Sequence, residues 1–131
     1  MKSGIYVANN TAAALNADSV IPLGAIVRRF GCALDLNGNG INLLETGYYD
    51  VKASVSYTPT AAGVVTATLL ADGVAVPGAI ASATAAAAGD TVNLSIVAIV
   101  KRCCPSAGTL TLQVAAAGTL DNVAVVAQKV Y

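Results

Sequence analysis

Between Tyr49 and Tyr57 the chain obeys a strict two-residue rhythm. Tyr49, Val51, Ala53, Val55 and Tyr57 alternate with Asp50, Lys52, Ser54 and Ser56, the pattern of a strand with one buried and one wet face. A helix would scatter these apolar residues around its circumference, so this segment commits its neighbourhood to a sheet. The rhythm recurs. Leu110, Leu112, Val114 and Ala116 alternate with Thr109, Thr111, Gln113 and Ala115. Val92, Leu94, Ile96, Ala98 and Val100 alternate with Asn93 and Ser95 and then with Val97 and Ile99, so this strand becomes apolar on both faces. From Val123 to Tyr131 one face carries Val123, Val125 and Ala127, and the other Ala124, Val126 and Val130.

Turn residues divide these runs at short intervals: Asn37-Gly38-Asn39-Gly40, Thr46-Gly47, Thr58-Pro59, Asp72-Gly73, Val76-Pro77-Gly78, Gly89-Asp90 and Ser106-Ala107-Gly108. Asp72-Gly73, between Leu70 and Val74, is the sharpest hairpin signal, because both central residues of a type I′ turn need positive φ. Many short strands at this spacing predict an all-β sandwich or barrel. The Ala-rich stretches Thr11–Ala17 and Ser82–Ala88 are short and flanked by β-type sequence, so strand or loop is expected there too. With no linker and no fixed-period repeat, residues 1–131 are expected to form one domain.

Composition narrows the function. The 56% hydrophobic content rests on 27 Ala and 17 Val, with a single Phe and no Trp. No run approaches the roughly 18 apolar residues of a membrane span, and the start of the chain turns polar before a secretory apolar segment forms. Seven Lys/Arg balance seven Asp/Glu, which removes the cationic surplus that nucleic-acid binding requires. The chain has no His, hence no imidazole for general-base catalysis or zinc ligation. No Ser, Thr or Cys has an evident base partner, and a non-enzymatic protein without cofactor is expected. Near-zero charge also weakens colloidal repulsion, so much of the surface should be covered by other subunits.

Gly47-Tyr48-Tyr49-Asp50-Val51-Lys52-Ala53-Ser54-Val55, followed by Leu69-Leu70-Ala71-Asp72-Gly73-Val74-Ala75-Val76-Pro77-Gly78 and Gly89-Asp90-Thr91-Val92-Asn93-Leu94, resembles the jelly roll of the tumour necrosis factor and complement globular-head superfamily. The likeness covers roughly residues 41–131, leaving the first 40 to supply the opening strands. The chain also resembles small jelly-roll proteins that bacteriophages carry as head fibres or capsid decoration proteins. The resemblance implies a homotrimer. It further implies partners such as a major capsid protein or another virion protein, and a place on a virion assembled in the host cytoplasm. The alternative is a receptor- or glycan-binding module at a phage fibre tip or on a bacterial surface. Departures from the superfamily are the lack of a Gly-x-y collagen stalk and of a membrane anchor; virion proteins need neither.

The expected interface residues are Val97, Ile99, Val126 and Val130, whose second faces would otherwise be wet, with Tyr48, Tyr57 and Tyr131 beside them. Other constellations read more plainly. Asp35-Leu36-Asn37-Gly38-Asn39-Gly40 matches the first half of a calcium loop, but Thr46 occupies the position of the closing Glu and Glu45 falls one short. A hairpin joining Ala33–Leu36 to Ile41–Leu44 is expected instead. Cys32, Cys103 and Cys104 are an odd number in a chain without a secretion signal and are expected as buried thiols. The doublets Arg28-Arg29 and Lys101-Arg102 could form salt bridges to capsid acids or read a glycan, but solvated surface charge is the stronger reading.

Overall fold

The computed structural model describes residues 2–102 and 108–131. Cys103, Cys104 and the Ser106-Ala107 part of the last expected turn lie outside them. The described residues form twelve strands in two antiparallel sheets. Sheet A has the order β10 (Val92–Arg102), β7 (Gly47–Pro59), β12 (Gly118–Lys129), β1 (Ser3–Asn9) and β4 (Ala25–Phe30), with β2 (Ala13–Leu15) pairing the start of β12. Sheet B has the order β5 (Leu34–Asn37), β6 (Gly40–Leu43), β11 (Thr109–Val114), β8 (Gly63–Ala71) and β9 (Val74–Ala85), with β3 (Ser19–Val20) pairing β11. The first 40 residues do supply opening strands, and both Ala-rich stretches fall in strand or loop.

Period-two alternation builds the core. Tyr49, Val51, Ala53, Val55 and Tyr57 all point inward, as do Val92, Leu94, Ile96, Leu110, Leu112, Val114, Val123, Val125 and Ala127. Two such faces pressed together form the single core of a β-sandwich. Each fully buried Leu or Val contributes about 1.5–3 kcal/mol by leaving water.

The hairpins follow turn chemistry. Asp72 and Gly73 have φ of 53° and 81° and join Ala71 to Val74, the geometry of a type I′ turn. The Asp72 carboxylate also accepts from the Gly108 and Thr109 amides at 3.2 and 2.9 Å, tying this hairpin to β11. Gly38, at φ 61°, opens the turn between β5 and β6, so the Asp35–Gly40 segment is the expected hairpin. The Asp35 carboxylate there lies 3.5 Å from the Arg29 guanidinium.

Two expectations need correction here. Val76-Pro77-Gly78 is no chain reversal: β9 runs through it, and pairing jumps from Leu70↔Ala75 to Thr68↔Ile80. Proline has no N–H for the ladder, and Gly78 at φ 79° absorbs the bend, so these residues mark a bulge. Cys32 is exposed rather than buried, sitting in the bend after β4.

Candidate functional site

The protomer is compact by itself. Its accessible area, 6407 Å², matches the roughly 6,300 Å² expected for a monomer of this mass. Exposed large apolar residues occur on both sheets, Val64, Val74 and Ile80 on sheet B among them, and those on the outer face of sheet A fall in two neighbouring register rows. One row across the sheet reads Val97, Lys52, Val126, Tyr6, Arg28, and the next reads Ile99, Asp50, Gln128, Gly4, Phe30. Val97 and Ile99 are 66% and 68% exposed. Phe30 is more than half exposed, Tyr6 lies at the margin of exposure and Val126 is half-buried.

On the other side of the first row the residues shrink to Ser95, Ser54, Ala124, Ala8 and Ala25. The step from large to small side chains leaves an open depression of about 390 Å³, walled by Tyr6, Val97 and Val126 and floored by Ser54, Ser95 and Ala124. Its lining has no acid or base beyond Lys52, whose ammonium lies 3.6 Å from the Asp50 carboxylate. Such a surface can receive an apolar protrusion. It has no arrangement for bond-making chemistry.

The far end of the face is aromatic. Beyond β12 the ladder continues, with the Tyr48 amide donating to the Tyr131 carbonyl at 3.1 Å and the Val130 amide to the Tyr48 carbonyl at 2.8 Å. The Tyr48 and Tyr131 rings stand 6.3 Å apart, tilted, with the Lys101 ammonium 5.8 Å from the Tyr48 centroid. Tyr131 and Val130 are exposed. Thus Val97, Ile99, Val126, Val130, Tyr48 and Tyr131 come together along one face and one end of sheet A.

Tyr57 does not join them. Its side chain is fully buried in the sandwich, and its hydroxyl donates to the Ala116 carbonyl at 2.6 Å. It lies on the same face of β7 as Tyr49, whose hydroxyl donates to the Glu45 carbonyl at 2.6 Å. The alternation that makes β7 a strand also sends both tyrosines inward, whereas Tyr48 has the opposite parity. Burial pushes the phenol pKa of both above the ordinary value; for Tyr49 the nearby Lys129 charge opposes that rise. Sequence reasoning missed Tyr6 and Phe30, and took Arg28 only as half of a charged doublet. For Tyr6 a signal was present in the apolar Ile5 and Val7 that flank it.

The same two-sheet architecture occurs in solved structures of other proteins. Over 98% of this chain and 98% of the other, it superimposes on the globular domain of zebrafish complement 1qA with a TM-score of 0.71 at 9% identity. Eiger TNF from S. frugiperda gives a TM-score of 0.71 at 8% identity, covering 100% of this chain and 92% of that one. The chain has the tumour necrosis factor and complement-type jelly-roll fold. The PRD1 vertex protein P5 shares it, with a TM-score of 0.65 at 14% identity over 98% of this chain and 97% of that chain. No protein-family model and no curated protein matches the sequence. Among the described residues no three metal-ligating side chains cluster, and no helix is long and apolar enough to cross a membrane.

Proposed function

We propose that this protein is a non-enzymatic structural protein of a bacteriophage virion, a homotrimer displayed on the capsid as a decoration or head-fibre protein. The observation that carries the reading is the outer face of sheet A, where Val97, Val126 and Tyr6 share a register row beside an apolar depression and Ile99 lies in the next row. Covering each of the larger side chains contributes about 1.5–3 kcal/mol. Several per protomer offset the association entropy, and a closed ring of three uses the same contact in every protomer. The likeness to a vertex protein supports a virion site over the other settings in which this fold occurs. Three identical protomers would present three identical contacts to the shell, so attachment gains by avidity without strong single contacts.

The test is biochemical. Purified particles should contain the protein in multiples of three copies per attachment site. Its absence from particles, with adhesion of the isolated protein to host cells that a soluble sugar blocks, would replace this reading by the receptor-binding one.

A further inference from the structure

The edges of the two sheets are not equally protected. β9 and β10, the edges on one side of the sandwich, pack against each other. β5 is only four residues long. β4 differs: among the described residues it pairs with β1 alone, and all six of its residues, Ala25 to Phe30, are exposed. Its ladder with β1 shifts register at Val27, whose carbonyl accepts from Arg28, and on either side of that bulge the outer edge of its backbone lies outside any ladder, a template for another extended segment.

Two features next to this edge define what would fit. The first is charge. Arg29 reaches Asp35 across the open side of the sandwich, Lys52 pairs with Asp50 and Lys129 with Glu45. Among the described residues Arg28 meets no carboxylate, and it donates to the Val27 carbonyl at 3.2 Å. The second is a cleft of about 180 Å³ beside Arg28, lined by Gly4, Tyr6, Phe30, Val126 and Gln128. It exists because residue 4 is glycine: a Cβ there would lie 2.6 Å from the Phe30 ring, which rests across β1 and roofs the cleft.

We infer that β4 is a docking edge for an extended, acidic and apolar segment of another protein. The segment adds a strand to sheet A, sets one aliphatic side chain between Tyr6 and Phe30, and places a carboxylate on Arg28. A second copy of β4 is the wrong occupant. Antiparallel self-pairing would crowd two Arg28-Arg29 doublets into one ribbon, and like charges opposed across strands are destabilising. This inference goes beyond the proposed trimer: Tyr6 and Val126 also belong to the face assigned to subunit contacts, and the segment docks where that face ends, at the β4 edge.

The experiment uses the isotopically labelled full chain and two blocked hexapeptides, one alternating Glu with Val and one alternating Lys with Val. The Glu peptide should slow amide exchange within Ala25–Phe30 and shift the Tyr6 and Phe30 ring resonances. Arg28→Glu should weaken the Glu peptide at least tenfold and favour the Lys peptide, while circular dichroism confirms the fold. Phe30→Ser should weaken the Glu peptide too. No change in β4 amides at millimolar peptide, or equal binding of both peptides, would overturn the inference. So would β4 amides already protected without peptide and released on dilution, which would identify a second copy as occupant. A trimer that failed to form would leave these peptide arms unaffected, so the two claims fail separately.

Discussion

The outer faces of the two sheets are built from the same small-residue vocabulary yet are opposite surfaces. On sheet B, Thr109, Thr111 and Gln113 of β11, Thr66 and Thr68 of β8, and Ser82 and Thr84 of β9 point outward. Several satisfy a neighbour: Thr66 and Ser82 hydroxyls lie 3.0 Å apart, and the Thr109 hydroxyl donates to the Asn42 amide oxygen at 3.0 Å. Val64 and Ile80 are exposed there on β8 and β9, as Val97 and Ile99 are on β10 at the edge of sheet A. On sheet A, Val97, Val126 and Tyr6 share one register row, with Lys52 between the two valines, and wall a depression. The amino-acid composition of the whole chain hides this partition between a hydroxyl-rich face and the one that we propose is covered by protein.

The inner faces set the largest effects and should not distinguish the sheets. Leu94→Ala in sheet A and Leu112→Ala in sheet B both remove fully buried side chains, and each should cost about 2–5 kcal/mol in denaturant unfolding. A large difference between them would mean that only one sheet is well packed. The outer faces should then separate. Val97→Asp should raise the dissociation constant between protomers at least tenfold, read by sedimentation, without unfolding the monomer. Thr68→Asp on sheet B should leave assembly unchanged and alter stability by no more than about 0.5 kcal/mol. Equal effects of the two would dissolve the comparison.

Tyr57→Phe sharpens the same boundary from inside. It leaves the Ala116 carbonyl without its donor, so stability should fall by about 1–2 kcal/mol while the mass in solution stays constant. The smallest effect is with pH. Burial raises the Tyr49 and Tyr57 phenol pKa above 10, so above that pH the native state holds these protons more tightly than the unfolded chain. The stabilisation is complete below the ordinary phenol pKa and is lost as pH rises through the raised one. Thermal scans should show the melting temperature declining there, less steeply for Tyr57→Phe.

The fold was legible because its signals are local and repeated. Alternation from Tyr49 to Tyr57 placed β7, and Asp72-Gly73 placed the β8–β9 hairpin, through conformational rules that need no partner. Val76-Pro77-Gly78 was misleading because the same residues serve turns and bulges, and only the register of β8 decides between them. The candidate face was partly legible. Val97 and Ile99 break the polar half of their own alternation, so they announce themselves. Tyr57 was misplaced because an aromatic hydroxyl suits an interface and a core equally; parity along β7 settles it, since Tyr57 shares the phase of Val55. Phe30 could not be found in advance, because its place over Gly4 depends on β4 lying beside β1, a relation fixed by topology, whereas Arg28 stood out only as half of a charged doublet.

The central claim is that the outer face of sheet A is covered by copies of the same chain, and solution mass measures it most directly. Light scattering or sedimentation at micromolar concentration should give three chain masses for the wild type and one for a folded protein carrying Val97→Asp and Ile99→Asp together. A wild type that stays at one chain mass, folded and soluble, would contradict it.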